Sequence, residues 1–212
     1  MTLAQQLAKI SLEIGAIKIN SKNPFTWASG YRMPIYNDNR VLLGHADHRA
    51  LIAEAMKEIV EQEGWGVDTI AGVATAGIPH ATSLANLMKA PLIYVRSSPK
   101  EHGMKNQVEG ILKAGHKVVV EDLISTGGSA LKAIDAIREA GGEVEHCLAI
   151  FSYGFPEAEQ RFQKSQCRLH TLLNLQTLLQ HAVEEGHIGP GEKQALDAWV
   201  QNPFEWGKLQ GF

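Results

Sequence analysis

The stretch Lys117-Val-Val-Val-Glu-Asp-Leu-Ile-Ser-Thr-Gly-Gly-Ser129 decides the fold. Val118, Val119 and Val120 form a short β-branched run, the pattern of a buried strand in a parallel sheet. Two adjacent carboxylates, Glu121 and Asp122, follow where a hydrophobic strand should end, with Leu123 and Ile124 behind them. Ser125, Thr126, Gly127, Gly128 and Ser129 then make a small, donor-rich turn. Beyond it Ala130, Leu131, Ala133, Ile134 and Ile137 recur at three- and four-residue spacings, the buried face of a helix. The order is strand, acidic pair, glycine-rich turn, helix.

Each part has a physical use. Successive N–H groups in such a turn, with the N-terminus of the following helix, cradle a phosphate. Glycines admit the anion closely, and the hydroxyls add donors. The acidic pair cannot hold phosphate, because like charges repel; it suits two neighbouring sugar hydroxyls or a divalent cation. A phosphate at one end and a diol at the other describe a ribose 5-phosphate. The plain alternative is a strand-to-helix loop capped by Ser125 or Thr126 with solvated carboxylates, but two acids behind a valine strand serve no packing purpose.

Working outward, Asp68 to Val73 reads as another core strand. It runs into the loop Ala74-Thr-Ala-Gly-Ile-Pro-His80, before a helix over Ala81 to Met88. Thr75, Ala76 and Gly77 thus form a second small turn after a strand, either a second anion cradle or a common connection. Pro91 to Val95 is a strand, and 96–110 is a polar stretch with Arg96, Lys100, His102 and Lys105, too long for a mere connection in a compact domain. Strands are expected at Val144 to Ser152 and Leu169 to Leu173, helices at 2–15 and 46–63, and a tail of two helices joined around Gly189-Pro-Gly191. Residues 23–40 are dense in aromatics and turn formers, with a hairpin turn at Ser29-Gly30.

The whole chain sets bounds. Its 212 residues suffice for one large or two unequal domains. A formal charge of −3 points to neither nucleic acid nor an anionic membrane, and no apolar run nears the roughly 20 residues that span a bilayer. Residues 1–19 are unlike a signal peptide. Cys147 and Cys167 are too few for a disulfide framework or zinc site, so a reducing cytoplasm is expected. His45, His48, His80, His116, His146, His170, His181 and His187 lack ligand spacing and are expected to be structural or at the surface.

The run Val118 to Ser129 resembles the phosphoribosyl pyrophosphate (PRPP) signature of the type I phosphoribosyltransferases. It is neither a Walker loop, which needs a Lys after the glycines, nor a dinucleotide fingerprint. Arg96-x-x-x-Lys100-x-His102-Gly103 and the hood-like N-terminal segment narrow the resemblance to orotate phosphoribosyltransferases, over nearly the whole chain. The resemblance implies an α/β fold, an open parallel sheet flanked by helices with a small N-terminal hood. It divides the chain into a hood (1–45), a PRPP-binding core (46–175) and a helical tail packed on that core (176–212).

It implies transfer of ribose 5-phosphate from PRPP to N1 of orotate, giving orotidine 5′-phosphate and pyrophosphate in UMP synthesis. Arg96, Lys100 and His102 would be catalytic and clamp the pyrophosphate with Thr75, Ala76 and Gly77. Glu121 and Asp122 would hold the ribose hydroxyls, and Leu123 to Ser129 would complete the PRPP site. Ser125, Ile35 and Tyr36 would contact orotate. Mg2+ held mainly by PRPP, no protein metal ligand, and a homodimer with a shared active-site loop are also implied. Ala28, Ala76 and the pair Ser97 and Ser98 stand where some relatives carry Lys. Many relatives place an Arg after the penultimate strand for the orotate carboxylate; here Tyr153 to Glu157 has none, leaving Arg32 or Arg40 as candidates and Arg161 further on. The rivals are transfer to another base and a PRPP-sensing regulator without catalysis.

Overall fold

The computed structural model describes residues 1–27, 29–98 and 107–212. In chain order the elements are α1 (Leu3–Glu13), β1 (Ile17–Ile19), β2 (Phe25–Thr26), β3 (Arg32–Met33), β4 (Ile35–Asn37) and a 3₁₀ turn (Asn39–Gly44). There follow α2 (Ala46–Gln62), β5 (Thr69–Val73), α3 (Gly77–Met88), β6 (Leu92–Val95), β7 (Val108–Glu109), β8 (His116–Ile124) and α4 (Gly128–Glu139). The chain closes with β9 (Glu143–Ser152), α5 (Pro156–Lys164), β10 (Arg168–Asn174), α6 (Leu175–Glu184), α7 (Pro190–Gln201) and α8 (Pro203–Leu209). These gather into two compact units, 1–44 with 173–212, and 45–172. No helix among the described residues is long and apolar enough to cross a membrane.

In the first unit α1 starts on a capping box: Thr2 Oγ1 accepts from the Gln5 N–H and Gln5 Oε1 accepts from the Thr2 N–H, which satisfies two otherwise orphaned donors. Two antiparallel pairs follow, β1 with β4 and β2 with β3. The tail is tied to this segment: Trp199, fully buried, donates its indole N–H to Met33 Sδ at 3.3 Å, and Glu192 Oε1 accepts from the Ser21 N–H and hydroxyl. The tail holds three helices rather than the expected two. Pro203 in the first turn of α8 restarts the helix after Asn202, because a first-turn residue has no N–H bond to lose.

The second unit is built on a six-stranded sheet of order β10-β9-β8-β5-β6-β7. The pairs β5–β6, β5–β8 and β8–β9 are parallel, and β7 pairs antiparallel with β6. Helix α4 buries Ala130, Leu131, Ala133, Ile134 and Ile137 against Val119, Val144, Cys147 and Phe162, on the face its spacing indicates.

The structure differs from the sequence reading at β8, α3 and α5, each time for a definable reason. β8 does not end at Val120: it continues through the acidic pair to Ile124, because β9 pairs beside it as far as Ile124↔Ser152. Helix α3 begins at Gly77 rather than Ala81; Pro79 sits in its first turn, where proline is tolerated. Helix α5 was not anticipated. Its signals were Pro156 at the start, Glu157 and Glu159 in the first turn, and Ala158 and Phe162 four apart.

Candidate active site

Two strand-to-helix turns lie side by side. β5 and β8 are adjacent and parallel, with Gly72 opposite Val120, so the turns that follow them leave the same edge of the sheet. From β5 the chain steps to β6 on one side; β8 and β9 lie on the other. Such a reversal opens a crevice at the carboxyl ends of the strands, the usual ligand position in an open α/β sheet.

The first turn is Ala74 to Gly77. The Ala74–Thr75 peptide is cis, Thr75 is exposed, and α3 starts directly at Gly77. Gly77 is required by close approach: a Cβ there would collide with the Val120 carbonyl oxygen of β8. At Gly72 a Cβ would lie 3.0 Å from Ala81 Cβ and from Ile78 Cα, so two small residues let α3 settle against β5.

The second turn is Ser125 to Ser129. Gly127 takes φ +77°, the left-handed region, as the N-cap of α4. A Cβ there would meet the Phe162 ring of α5 at 2.9 Å. Between the two turns stands Glu121, only 4% exposed. Its Oε1 accepts from the Asp122 N–H at 3.0 Å and its Oε2 from the Ser129 hydroxyl at 3.0 Å. Burial, then the hydrogen bond with and the charge of Asp122, push the Glu121 carboxyl up to about 9, against the lowering effect of the two donors. Asp122, on the other face of β8, is half-buried.

Comparisons with known proteins give the family of the chain. Residues 42–171 match the phosphoribosyl transferase domain family. The orotate phosphoribosyltransferase of Listeria monocytogenes is 46% identical over 98% of this chain and the whole of its own. The chain belongs to the orotate phosphoribosyltransferase family. Among solved structures, the orotate phosphoribosyltransferase from Aeropyrum pernix superposes with a TM-score of 0.74 at 33% identity, covering 86% of this chain and 99% of its own. UMP synthase from Leishmania donovani gives 0.77 at 27% identity, covering 93% of this chain and 42% of its own.

Within a phosphoribosyltransferase frame, the remaining expected site residues fall as follows. Arg96 directly follows β6; its N–H donates to the Gln107 carbonyl at 3.0 Å, and Gln107 Nε2 donates to the Arg96 carbonyl at 2.8 Å. The Arg96 guanidinium lies 3.7 Å from the Glu109 carboxylate. Lys100, His102, Lys105 and Ala28 lie outside the described residues. Ile35 is fully buried, and its carbonyl accepts the Trp27 indole N–H at 2.8 Å; Tyr36 stacks at a tilt 5.9 Å from Phe25. Arg32 donates to Thr26 Oγ1 at 2.9 Å and lies over Phe212. Arg40 grips Asp38 at 2.6 and 2.9 Å, and these bonds hold the Asp38 carboxyl below its ordinary value. Both candidates for the orotate carboxylate therefore have other partners.

Among the described residues no three His, Cys, Asp or Glu side chains converge as a metal cage. The donors here are the Glu121–Asp122 pair, and with Glu121 buried Asp122 is the more accessible of the two. That donor set suits a Mg2+ ion carried by the diphosphate of PRPP, which keeps most of its ligands from phosphate and water.

The histidines are not all solitary. His146 of β9 and His170 of β10 gather on Trp65, the first stacked 3.9 Å from the indole and the second edge-on at 4.6 Å. Sequence spacing could not show this, because the three come together only through the pairing of the sheet. His80, in the first turns of α3, is 1% exposed; burial and then the Arg49 charge lower it to about 4, so it stays neutral.

Proposed function

We infer that this chain transfers ribose 5-phosphate from PRPP to N1 of orotate, releasing pyrophosphate and giving orotidine 5′-phosphate for pyrimidine synthesis. The observation that carries the reading is the pair of anion-suited turns on adjacent parallel strands, with the Glu121–Asp122 pair between them, in a chain of this family.

The roles follow from chemistry. The Ser125–Ser129 turn binds the 5′-phosphate through N–H groups at the start of α4, and Thr75, Ala76 and Gly77 bind the pyrophosphate. Glu121 and Asp122 accept from the ribose hydroxyls. As the C1–O bond breaks, positive charge grows on the sugar, and these carboxyls stabilise it. When bound, Mg2+ neutralises charge on the departing pyrophosphate. Arg96, Lys100 and His102 clamp that leaving group, and His102 donates a proton or hydrogen bond to it. Ser125, directly after β8, contacts orotate.

A cytoplasmic homodimer belongs to the same proposal. Leu92 and Tyr94, each 37% exposed, share one face of β6, and a second copy would cover it. The segment after Arg96 would then serve the partner's site.

The test is consumption of orotate, followed by its ultraviolet absorbance, with PRPP and Mg2+, beside adenine and hypoxanthine as competing bases. Conversion of orotate alone is expected. Untouched orotate with intact PRPP binding would leave the cradle and sink the enzyme reading; turnover of a purine would reassign the base.

A further inference from the structure

Helix α5 supplies an arginine to the second turn that no part of the reading above uses. Arg161 Nη1 donates to the Thr126 carbonyl at 3.2 Å. The same nitrogen would lie 4.0 Å from a Cβ placed on Gly128, so the guanidinium runs alongside the Gly127–Gly128 pair. Its neighbour Phe162, 2% exposed, packs on Gly127 itself, which anchors this end of α5 to the turn. The other contact of Arg161 is Glu157 Oε1 at 3.4 Å, an i,i+4 pair with both side chains about half exposed. Such a pair contributes little to stability.

The peptide plane gives the carbonyl bond its significance. In a trans peptide the C=O and the following N–H point in opposite directions. Fixing the Thr126 carbonyl toward α5 therefore directs the Gly127 N–H away from α5. An anion cradle needs its carbonyls turned out and its N–H groups turned in. We propose that Arg161 is a positioning residue of the 5′-phosphate cradle: it holds the Thr126 carbonyl aside, presents the Gly127 N–H to the phosphate, and places a positive charge beside it. This rests on the assignment of that turn to the 5′-phosphate.

The experiment compares full-length parent, Arg161→Gln and Arg161→Lys for binding of ribose 5-phosphate and of pyrophosphate by titration, and for the steady-state constants. Arg161→Gln should weaken ribose 5-phosphate and raise KM for PRPP about tenfold, with kcat within about threefold and pyrophosphate binding unchanged. Arg161→Lys, which keeps the charge and one donor, should recover part of the loss. Unchanged ribose 5-phosphate binding in Arg161→Gln overturns the proposal, and so does an equal loss of pyrophosphate, which would mark a general disturbance. Should Arg161→Gln fold poorly, the lysine variant decides alone: parental affinity for ribose 5-phosphate with a lowered pyrophosphate affinity would overturn the assignment. A parent that binds neither ligand sinks the underlying site reading instead.

Discussion

The turn after β5 and the turn after β8 look alike in sequence, small residues around glycine between a strand and a helix, yet their glycines answer different demands. Gly77 has an ordinary backbone and is needed because the β8 carbonyl at Val120 leaves no room for a side chain. Gly127 is needed for its left-handed φ of +77°, with Phe162 closing the remaining space. The first turn is shaped by packing of helix on sheet, the second by the conformation of its own backbone. A glycine-rich turn is thus not one device but two, and only the geometry separates them.

Substitutions can break this contrast. Gly77→Ala should be the most damaging, since the opposing atom is backbone and cannot swing aside: we expect a loss of about 3 kcal/mol or more, read as a melting point lowered by roughly 10 °C. Gly127→Ala meets a side chain and a strained φ, and should cost about 2 kcal/mol while raising KM for PRPP. If the two variants melt together, the distinction between packing and conformation fails.

Glu121→Gln sharpens the comparison by probing the group between the turns. The folded chain keeps a proton on Glu121 up to about pH 9, while the unfolded chain releases it near 4.5. Stability conferred by the neutral carboxyl is therefore full below about pH 4.5 and is lost as pH rises toward 9. Glutamine removes that dependence, so the variant should melt above the parent at pH 8, with little difference at pH 4.5. Its kcat/KM should fall about tenfold, because the amide cannot become an anion beside the cationic sugar. Melting curves across pH with parallel kinetics check both halves. The smallest effect is expected for Thr75→Val, which removes one exposed hydroxyl from the first turn: about threefold in KM for PRPP, with no change in melting point.

Much of this is legible in the sequence. The valine run, the apolar period of α4 and the hydroxyl-rich turn each carry a local signal, and their order alone indicated the parallel sheet and the strand-to-helix turn at its edge. What was not legible depended on neighbours in space. The acidic pair read as lying beyond the strand, because carboxylates seldom enter a buried ladder; the partner strand β9 extends β8 past them, and burial then changes what Glu121 is at neutral pH. Arg161 belonged to a segment read only for the arginine it lacked at 153–157, although Pro156 and the first-turn acids marked a helix there. The Trp65 cluster joins three strand ends or loops far apart in the chain, and no spacing rule finds it.

That cluster makes the protein its own spectrometer. Of the four tryptophans, Trp27, Trp199 and Trp206 lie in 1–44 with 173–212, and Trp65 alone lies in 45–172. It stands just before β5, at the edge of the sheet opposite the two turns, with the His146 ring flat against the indole. An imidazolium quenches indole emission, and burial keeps both His146 and His170 neutral below their ordinary range. A chain retaining only Trp65 would therefore glow while the sheet is intact, dim in acid, and report the melting of one unit in silence from the other.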